Sequence, residues 1–144
     1  MKISQKGIEL IKKFEGFSAI EYTCSADKRT IGYGHVMRNG EKYGILTHAQ
    51  AEELLRQDIE TAEYTVNKAV LPKLTQNQFD ALVSLVYNWG GGNFLHSDGL
   101  RALNRGDYQG AIEEFSEVNK ANGKVLAGLA NRRRAEAELW NATA

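Results

Sequence analysis

The stretch FEGFSAIEYTCSADKRTIGYGHV, residues 14–36, decides the fold because the sequence pattern changes within it. Four apolar residues, upstream of the stretch or at its start, lie close to one helical face: Ile3, Ile8, Ile11 and Phe14. With Ser4 as the N-cap and Gly16 as the stop, they predict a first helix over about residues 4–14. From residue 17 to 45, aromatic and β-branched residues with spaced glycines predict a small hairpin sheet, with turns at 26–28 and 38–40.

The sequence after residue 46 is helical in pattern. Thr47 with Gln50 forms a capping box that opens a helix over about residues 47–66. Thr75 with Gln78 forms a second capping box, which opens a central helix that a run of three glycines ends. Shorter helices are expected over about 97–105, from about 107, and over about 128–141.

These elements predict an α+β fold that is mostly helical and has two lobes. The small N-terminal lobe holds the hairpin sheet over about residues 14–46, and a long connecting helix over about 47–66 leads away from it. The helical C-terminal lobe covers about 73–144 and packs with the first helix. Two lobes joined by one helix leave a cleft between them, and a ligand site is expected there.

Composition and charge narrow the classes of function. The 18 basic and 18 acidic residues give a net charge of zero, so bulk charge provides no attraction to nucleic acid. The single cysteine cannot form an internal disulfide, which fits a reducing compartment. The first residues, MKISQKGIELIKKFEG, lack the apolar core of a signal peptide, and no apolar run approaches the roughly 20 residues of a membrane span. We therefore expect no membrane insertion.

Glu15 is a candidate general acid at the end of the first helix. The C-terminal end of a helix carries a partial negative charge of roughly half an elementary charge, which favours the protonated form of a carboxyl group. A glutamic acid that keeps its proton near neutral pH can donate it to a leaving group. Considered alone, an ordinary exposed residue is the more common explanation for a glutamate at a helix end.

Thr30 opens the sequence TIGYGH, in which Gly32 and Gly34 alternate with larger residues. Glycines at this spacing indicate the close approach of another backbone or of a ligand, and Thr30 can hold a water molecule or satisfy a strand edge. We expect His35 to pair with Asp58, a carboxylate on the apolar stripe of the connecting helix that needs a partner. This pair would be structural. The histidines show no spacing that predicts a metal site.

Glu15, Cys24 and Thr30 carry a resemblance to the phage-type lysozymes, glycoside hydrolase family 24. In that family a Glu is followed nine positions on by Asp or Cys, and six positions further by a Thr that opens T-I-G-x-G-H; both intervals occur here. Three later blocks are similar to the family's and follow its order: QNQFDALVSLVYNWG, NFLHSDGLRALNRGDYQGAIEEF and GLANRRRAEAELW. The resemblance therefore covers nearly the whole chain.

The resemblance implies a single lysozyme-like domain over residues 1–144. It implies hydrolysis of the bond between N-acetylmuramic acid and N-acetylglucosamine in bacterial peptidoglycan, with lysis of the host cell as the result. Glu15 would donate the proton, and Thr30 would place the attacking water or order the hairpin. No cofactor is implied, the partner is the glycan strand, and a monomer is expected. The protein would remain in the host cytoplasm until the membrane is permeabilised.

Cys24 differs from the Asp that many family members carry at this position. A thiol with an ordinary pKa near 8.5 is mostly protonated at neutral pH, and a cation such as Lys28 or Arg29 would favour the thiolate. Nucleophile, base and positioning group are all open roles, and a small buried apolar residue is the alternative. Glu21 and Asp27 are spare carboxylates nearby.

The resemblance also implies residues that contact the acid or the sugar. Arg132, in the Arg-Arg-Arg run, would reach the glutamate across the cleft and oppose the effect of the helix end. Tyr87, Ser97 and Val36 are candidates for substrate contact. Val118 stands where the family commonly has a Trp, which changes the expected local packing.

Three other functions compete with hydrolysis. A lysozyme-like fold without a second carboxylate could bind murein without cutting it. A lytic transglycosylase would form an anhydro sugar and would need no attacking water. A helical protein could use the arginine run to bind nucleic acid, but zero net charge and the absence of a helix-turn-helix pattern argue against it.

Overall fold

The computed structural model describes residues 1–24 and 26–142. The described residues form seven helices: α1 (Gln5–Glu15), α2 (His48–Ala69), α3 (Gln76–Trp89), α4 (Gly91–Leu95), α5 (Asp98–Asn104), α6 (Tyr108–Ser116) and α7 (Ala127–Asn141). They also form five short strands: β1 (Ser18–Thr23), β2 (Arg29–Gly32), β3 (His35–Val36), β4 (Lys120–Ala121) and β5 (Lys124–Val125). The prediction of a mostly helical α+β fold with a small antiparallel sheet is confirmed.

Helix α1 has the caps that the sequence predicted. The Ser4 hydroxyl accepts a hydrogen bond from the backbone of Gly7, and the backbone N–H of Gly16 donates to the Lys12 carbonyl. Gly16 has a φ of +74°, a conformation that ends the helix and that glycine adopts without strain. The helix extends one residue beyond the predicted end, so Glu15 is its last residue rather than the one after it.

The three-stranded sheet has the order β1-β2-β3, and both pairs are antiparallel. The chain reverses between β2 and β3 at Tyr33 and Gly34, inside the TIGYGH sequence, where Gly32 and Gly34 have φ values of +68° and +78°. The predicted turn at 38–40 exists, but it follows the end of β3 at Val36 and joins no strands. The hairpin is tighter than predicted because its glycines supply the turn.

Helices α2 and α3 form the centre of the molecule, and both predicted capping boxes are present at their N-termini. Helix α2 continues to Ala69, three residues beyond the predicted end, and it contacts the sheet as well as α3. Helix α3 packs against α1, α2 and α7, and Phe79 and Val83 on it are completely buried. Gly90, with a φ of +102°, ends α3 as predicted.

One short helix and one short two-stranded hairpin in the C-terminal part are absent from the prediction. Helix α4 has five residues and no side-chain cap, so it lacks the usual start signal. Strands β4 and β5 have two residues each and are joined at Asn122 and Gly123, both of which have positive φ values. An Asn-Gly pair is the preferred sequence for a tight hairpin turn and would have indicated this one. Helix α7 then returns to pack on α3.

Candidate active site

An open cleft of about 360 Å³ lies where the end of α1, the β2–β3 hairpin, α2 and α3 meet. Six residues line it: Glu15, Gly34, Val36, Asp58, Tyr87 and Asn88. Three of them are sequence-predicted site residues, and a fourth belongs to the predicted structural pair. The cleft therefore lies between the small sheet and the helical part of the molecule, where the two-lobed prediction expected a ligand site.

Glu15 reaches this cleft from the last turn of α1 and is 21% exposed. Arg132 Nη1 donates to Glu15 Oε2 over 2.8 Å, and the arginine side chain is only 4% exposed. On the other side, a Cβ atom placed on Gly34 would lie 2.6 Å from Glu15 Oε1. The carboxylate is thus held between a buried guanidinium and a bare stretch of backbone, which fixes its position while one edge faces the cleft.

Cys24 and Thr30 lie on the β1–β2 hairpin and do not line the cleft. Thr30 is 3% exposed, its hydroxyl donates to the Lys28 carbonyl over 3.0 Å, and its strand partner is Val36, which does line the cleft. Thr30 therefore lies beside Val36, on the strand next to the one that lines the cleft. The sequence expected Cys24 and Thr30 close to Glu15, and the strand pairing with Val36 links Thr30 to the cleft wall.

Hydrogen bonds from the Lys28 backbone and the Thr30 hydroxyl lower the pKa of the Cys24 thiol. A hydroxyl proton rotates, so Thr30 can donate either to a carbonyl or to a thiolate. The predicted cationic help is replaced by these dipoles, because the Arg29 guanidinium is bound to Glu21, with Nε 2.6 Å from Oε1. Within the described residues, the hydrogen bonds of the hairpin are therefore what lowers the pKa of the Cys24 thiol.

The three residues predicted to contact sugar, Val36, Tyr87 and Ser97, line two different cavities. Val36 and Tyr87 line the cleft with Glu15, and burial raises the pKa of Tyr87, with further contributions from the Asp58 and Glu15 charges. Ser97 lines a separate and larger cavity of about 830 Å³. Its hydroxyl is occupied by the cap of α5, because it donates to the Phe94 carbonyl over 2.7 Å and accepts from the Leu100 backbone.

The larger cavity lies beyond the end of α3 and contains no residue that the sequence assigned to proton transfer. Val118, the residue in place of the family's Trp, is among those that line it, and its side chain is partly buried. Glu15, which is paired with Arg132, lines the smaller cleft, so that cleft is the candidate active site.

His35 and Asp58 are hydrogen-bonded, with His35 Nδ1 2.8 Å from Asp58 Oδ2, and His35 Nε2 lies 3.0 Å from Glu41. The Tyr43 hydroxyl also donates to Glu41. Burial lowers the pKa of His35, but the hydrogen bonds to Glu41 and Asp58 outweigh it and raise the pKa overall. Hydrogen bonds from Tyr43 and His35 lower the pKa of Glu41 to about 2.

Two cleft residues have roles that the sequence reasoning missed. Asp58 was assigned only to the structural pair, yet it also lines the cleft, and burial raises the pKa of its carboxyl group. Asn88 received no role, although it follows Tyr87 on the same helix and a buried arginine, Arg133, donates to its Oδ1. The signal for Asn88 was its place between the aromatic residues Tyr87 and Trp89 at the end of the central helix.

Within the described residues, no group of three or more His, Cys, Asp or Glu side chains is placed to hold a metal ion. None of the described helices is both long enough and apolar enough to cross a membrane. The cleft is lined by a carboxylic acid that a buried arginine holds, and by polar and aromatic side chains. An acid placed beside an open groove between a sheet and a helical bundle is the arrangement of a lysozyme-like glycosidase.

Comparison with known proteins agrees with this arrangement. A sequence model of the phage lysozyme family matches residues 12–136. The endolysin of Bacillus phage PZA is 46% identical over 98% of this chain, which spans only 55% of that protein's length. The endolysin of Acyrthosiphon pisum secondary endosymbiont phage 1 is 45% identical over 97% of this chain and 98% of its own.

Among solved structures, the muramidase domain of SpmX from Asticaccaulis excentricus superimposes with a TM-score of 0.89. It is 38% identical to this chain, and the match covers 99% of both chains. The chain therefore belongs to the phage lysozyme family. The resemblance inferred from the spaced Glu, Cys and Thr is confirmed over nearly the full length of the sequence.

Proposed function

We propose that this protein is an endolysin that hydrolyses the glycosidic bond between N-acetylmuramic acid and N-acetylglucosamine in bacterial peptidoglycan. The observation that carries the proposal is the position of Glu15, held by Arg132 at the wall of a cleft that can admit a glycan strand. The similarity to endolysins and to the muramidase domain of SpmX supports a wall-degrading glycosidase of this kind. We also propose that residues 1–144 act as a single domain and as a monomer.

In this mechanism Glu15 is the general acid. The bond between the anomeric carbon and the bridging oxygen breaks, and the Glu15 proton moves to that oxygen. A water oxygen bonds to the anomeric carbon and loses its own proton to a base. Arg132 then balances the charge of the glutamate that remains, because its Nη1 lies 2.8 Å from Oε2.

We assign the water side of the reaction to the hairpin that carries Cys24 and Thr30. The lowered pKa of Cys24 supports the thiolate as the group that accepts the proton from water. Thr30, which pairs with Val36 on the neighbouring strand, would order the hairpin and position the thiol of Cys24. Asp58 is the competing base, since it is a carboxylate in the cleft, but His35 already binds one of its oxygens.

The products test the proposal on purified peptidoglycan. Hydrolysis gives muropeptides with a reducing N-acetylmuramic acid end, each one water heavier than the anhydro product of a lytic transglycosylase. We expect reducing ends of this kind, which mass spectrometry detects. Anhydro products would replace hydrolysis with transglycosylation, and binding to murein without any released ends would make the protein a binder.

Paired variants test the water side. We expect Cys24→Ser to lose most of the activity and Cys24→Asp to retain it, because a carboxylate can also accept the proton. Asp58→Asn keeps a hydrogen bond acceptor for His35 and serves as the comparison. If Cys24→Ser is fully active and Asp58→Asn is inactive, the base is Asp58 and not Cys24.

A proposal for localisation follows from the same function. The protein would accumulate in the host cytoplasm and reach the wall once the inner membrane is permeabilised. We expect expression of the chain alone in a bacterium to leave the cells intact, and addition of a membrane-permeabilising agent to cause lysis. Lysis without such an agent would contradict this route.

A further inference from the structure

Four polar residues form a buried cluster directly behind the cleft, between α3 and α7. Ser84, Arg132, Arg133 and Glu136 are each no more than 3% exposed. Burying charges is costly unless each of them is paired, and such clusters often stabilise a fold no better than apolar residues of the same size. The arrangement of this cluster therefore needs a reason beyond stability.

Glu136 is the centre of the cluster, because both of its oxygens are bound. Ser84 Oγ donates to Oε2 over 2.5 Å, and Arg132 Nε lies 3.4 Å from the same atom. Arg133 Nη1 donates to Oε1 over 2.8 Å. One carboxylate thus fixes the orientation of two adjacent guanidinium groups.

Each of the two arginines donates a hydrogen bond to a different residue of the cleft wall. Arg132 Nη1 donates to Glu15, and its Nη2 donates to the Ser84 carbonyl over 3.3 Å. Arg133 Nη2 donates to Asn88 Oδ1, and Asn88 lines the cleft with Glu15. Glu136 is therefore connected to two residues that line the cleft, each through one arginine.

We propose that Glu136, supported by Ser84, is a positioning residue for the glycosidase reaction: it fixes Arg132 and thereby the place and charge balance of the acid Glu15. The inference rests on the proposed function, since it concerns the same acid. When Glu15 holds the proton that the reaction requires, the carboxylate of Glu136 is the group in this cluster that offsets the charges of Arg132 and Arg133.

The charge of Glu136 gives this role a signature in the pH profile. The charged or titratable groups around the acid are Arg132 and Arg133 on α7, Asp58 on α2 and Tyr87 on α3. Removing one negative charge from this set leaves an excess positive charge beside Glu15, which favours its ionised form. An acid that ionises more easily loses its proton at a lower pH, so the alkaline limb of the activity profile moves toward acid.

The test compares Glu136→Gln and Glu136→Asp with the wild type in pH profiles of kcat and kcat/KM on purified peptidoglycan. We expect Glu136→Gln to move the alkaline limb by about one pH unit toward acid and to lower kcat about tenfold, with a smaller change in KM. Glu136→Asp keeps the charge, so its limb should stay near that of the wild type even if kcat falls. An unchanged limb in Glu136→Gln would overturn the proposal.

A matched control separates positioning from stability. Val83→Ala removes buried atoms from α3 next to Ser84 without altering any charge, so it should lower the melting temperature and leave the pH profile unchanged. If Glu136→Gln does not fold, Ser84→Ala decides the matter: Glu136 keeps its charge but loses one group that orients it, so kcat should fall while the alkaline limb stays in place. A folded Ser84→Ala with the kcat of the wild type would then overturn the proposal.

The wild type keeps the two proposals distinguishable. If the wild type is active and Glu15→Gln is not, the acid is established whatever the result for Glu136. If Glu15→Gln is as active as the wild type, the proposed acid is wrong and the profiles of the Glu136 variants have no bearing on it. One combination of results contradicts the inference about Glu136 and leaves the proposed function intact. In it the wild type is active, Glu15→Gln is inactive, and the pH profile of Glu136→Gln is the same as that of the wild type.

Discussion

Gly34→Ala should reduce activity far more than it reduces stability. A Cβ at this position would lie 2.6 Å from Glu15 Oε1, whereas carbon and oxygen atoms in contact stay about 3.3 Å or more apart. The carboxylate would therefore have to move by about 0.7 Å, the difference between these two distances. A misplacement of about 1 Å at a reacting group can cost about 100-fold in rate.

The cost in stability is smaller because the clash involves the flexible end of a side chain. Alanine at a φ of +78° is destabilised by roughly 1–2 kcal/mol in the left-handed conformation. The reduced freedom of the unfolded chain offsets about 0.4–1 kcal/mol of this. The net loss is therefore about 1 kcal/mol.

Gly44→Ala is the matched control. Gly44 has a φ of +66°, and a Cβ placed on it would meet no atom within 4 Å, so the variant has the same backbone strain without touching the acid. Release of reducing ends from purified peptidoglycan, measured well below the melting temperature, compares the two variants. We expect Gly34→Ala to lose about 100-fold in kcat/KM and Gly44→Ala to stay within about twofold of the wild type. Activities of the two variants within about threefold of each other would refute the reasoning.

Three further predictions concern pH, the thiol and a helix cap. The pKa of His35 is raised in the fold, so its pairing stabilises the protein fully below about pH 6.5, and this stabilisation is lost as pH rises through the pKa of the folded state. The difference in melting temperature between the wild type and His35→Asn should therefore be larger at about pH 5.5 than at about pH 9. An equal difference at the two pH values would contradict this. Alkylation of Cys24 should reach half its maximal rate at a lower pH than alkylation of a free cysteine thiol, and Thr30→Val should raise that midpoint. A midpoint that does not move would exclude the Thr30 hydroxyl as a cause. Thr75→Ala breaks a capping box and should cost about 1 kcal/mol in denaturant unfolding, and no loss would mean that the cap is replaced by water.

The parts of the fold that the sequence predicted are those with strong local signals. Ser4, the two capping boxes and Gly90 mark helix ends through hydrogen bonds and backbone conformations that depend on neighbouring residues only. The end of α2 was placed three residues too early, because Val66 is the last fully buried member of its apolar stripe and two exposed residues follow before the partly buried Ala69. Apolar periodicity indicates burial, and a helix can extend past its buried part.

The candidate site was predictable to the extent that it follows a motif. Glu15 and Arg132 are 117 positions apart in the sequence, and only the family resemblance suggested that they meet. The role proposed for Glu136 has only a weak local signal, because Arg132 and Arg133 precede it by four and three residues on the same helix, a spacing that is also usual for exposed ion pairs. Its third partner, Ser84, lies on another helix. Tertiary packing of α7 on α3 turns Glu136 into a buried charge, and periodicity alone does not reveal such a change.

Ser97 has two predicted roles, and the structure shows one of them, the helix cap, while sugar contact stays a prediction. The sequence placed it among the sugar-contact residues by resemblance, and it also predicted a helix beginning at the same position. The structure shows that the hydroxyl caps α5 by accepting from Leu100 and donates its proton to the Phe94 carbonyl. A serine at a predicted helix start is already explained by its cap, and a second role needs separate evidence.

The most direct test of Glu15 as the proton donor is the rate at which Glu15→Gln releases reducing ends from purified peptidoglycan, measured beside Glu9→Gln. Glu9 lies on the same helix, is 57% exposed and takes no part in the cleft, so its variant controls for the loss of a charge on α1. We expect Glu15→Gln to lose at least about 1000-fold in rate, since the amide cannot donate a proton to the leaving oxygen, and Glu9→Gln to match the wild type. A Glu15→Gln variant that is folded and retains more than about a tenth of the wild-type rate would show that another group supplies the proton.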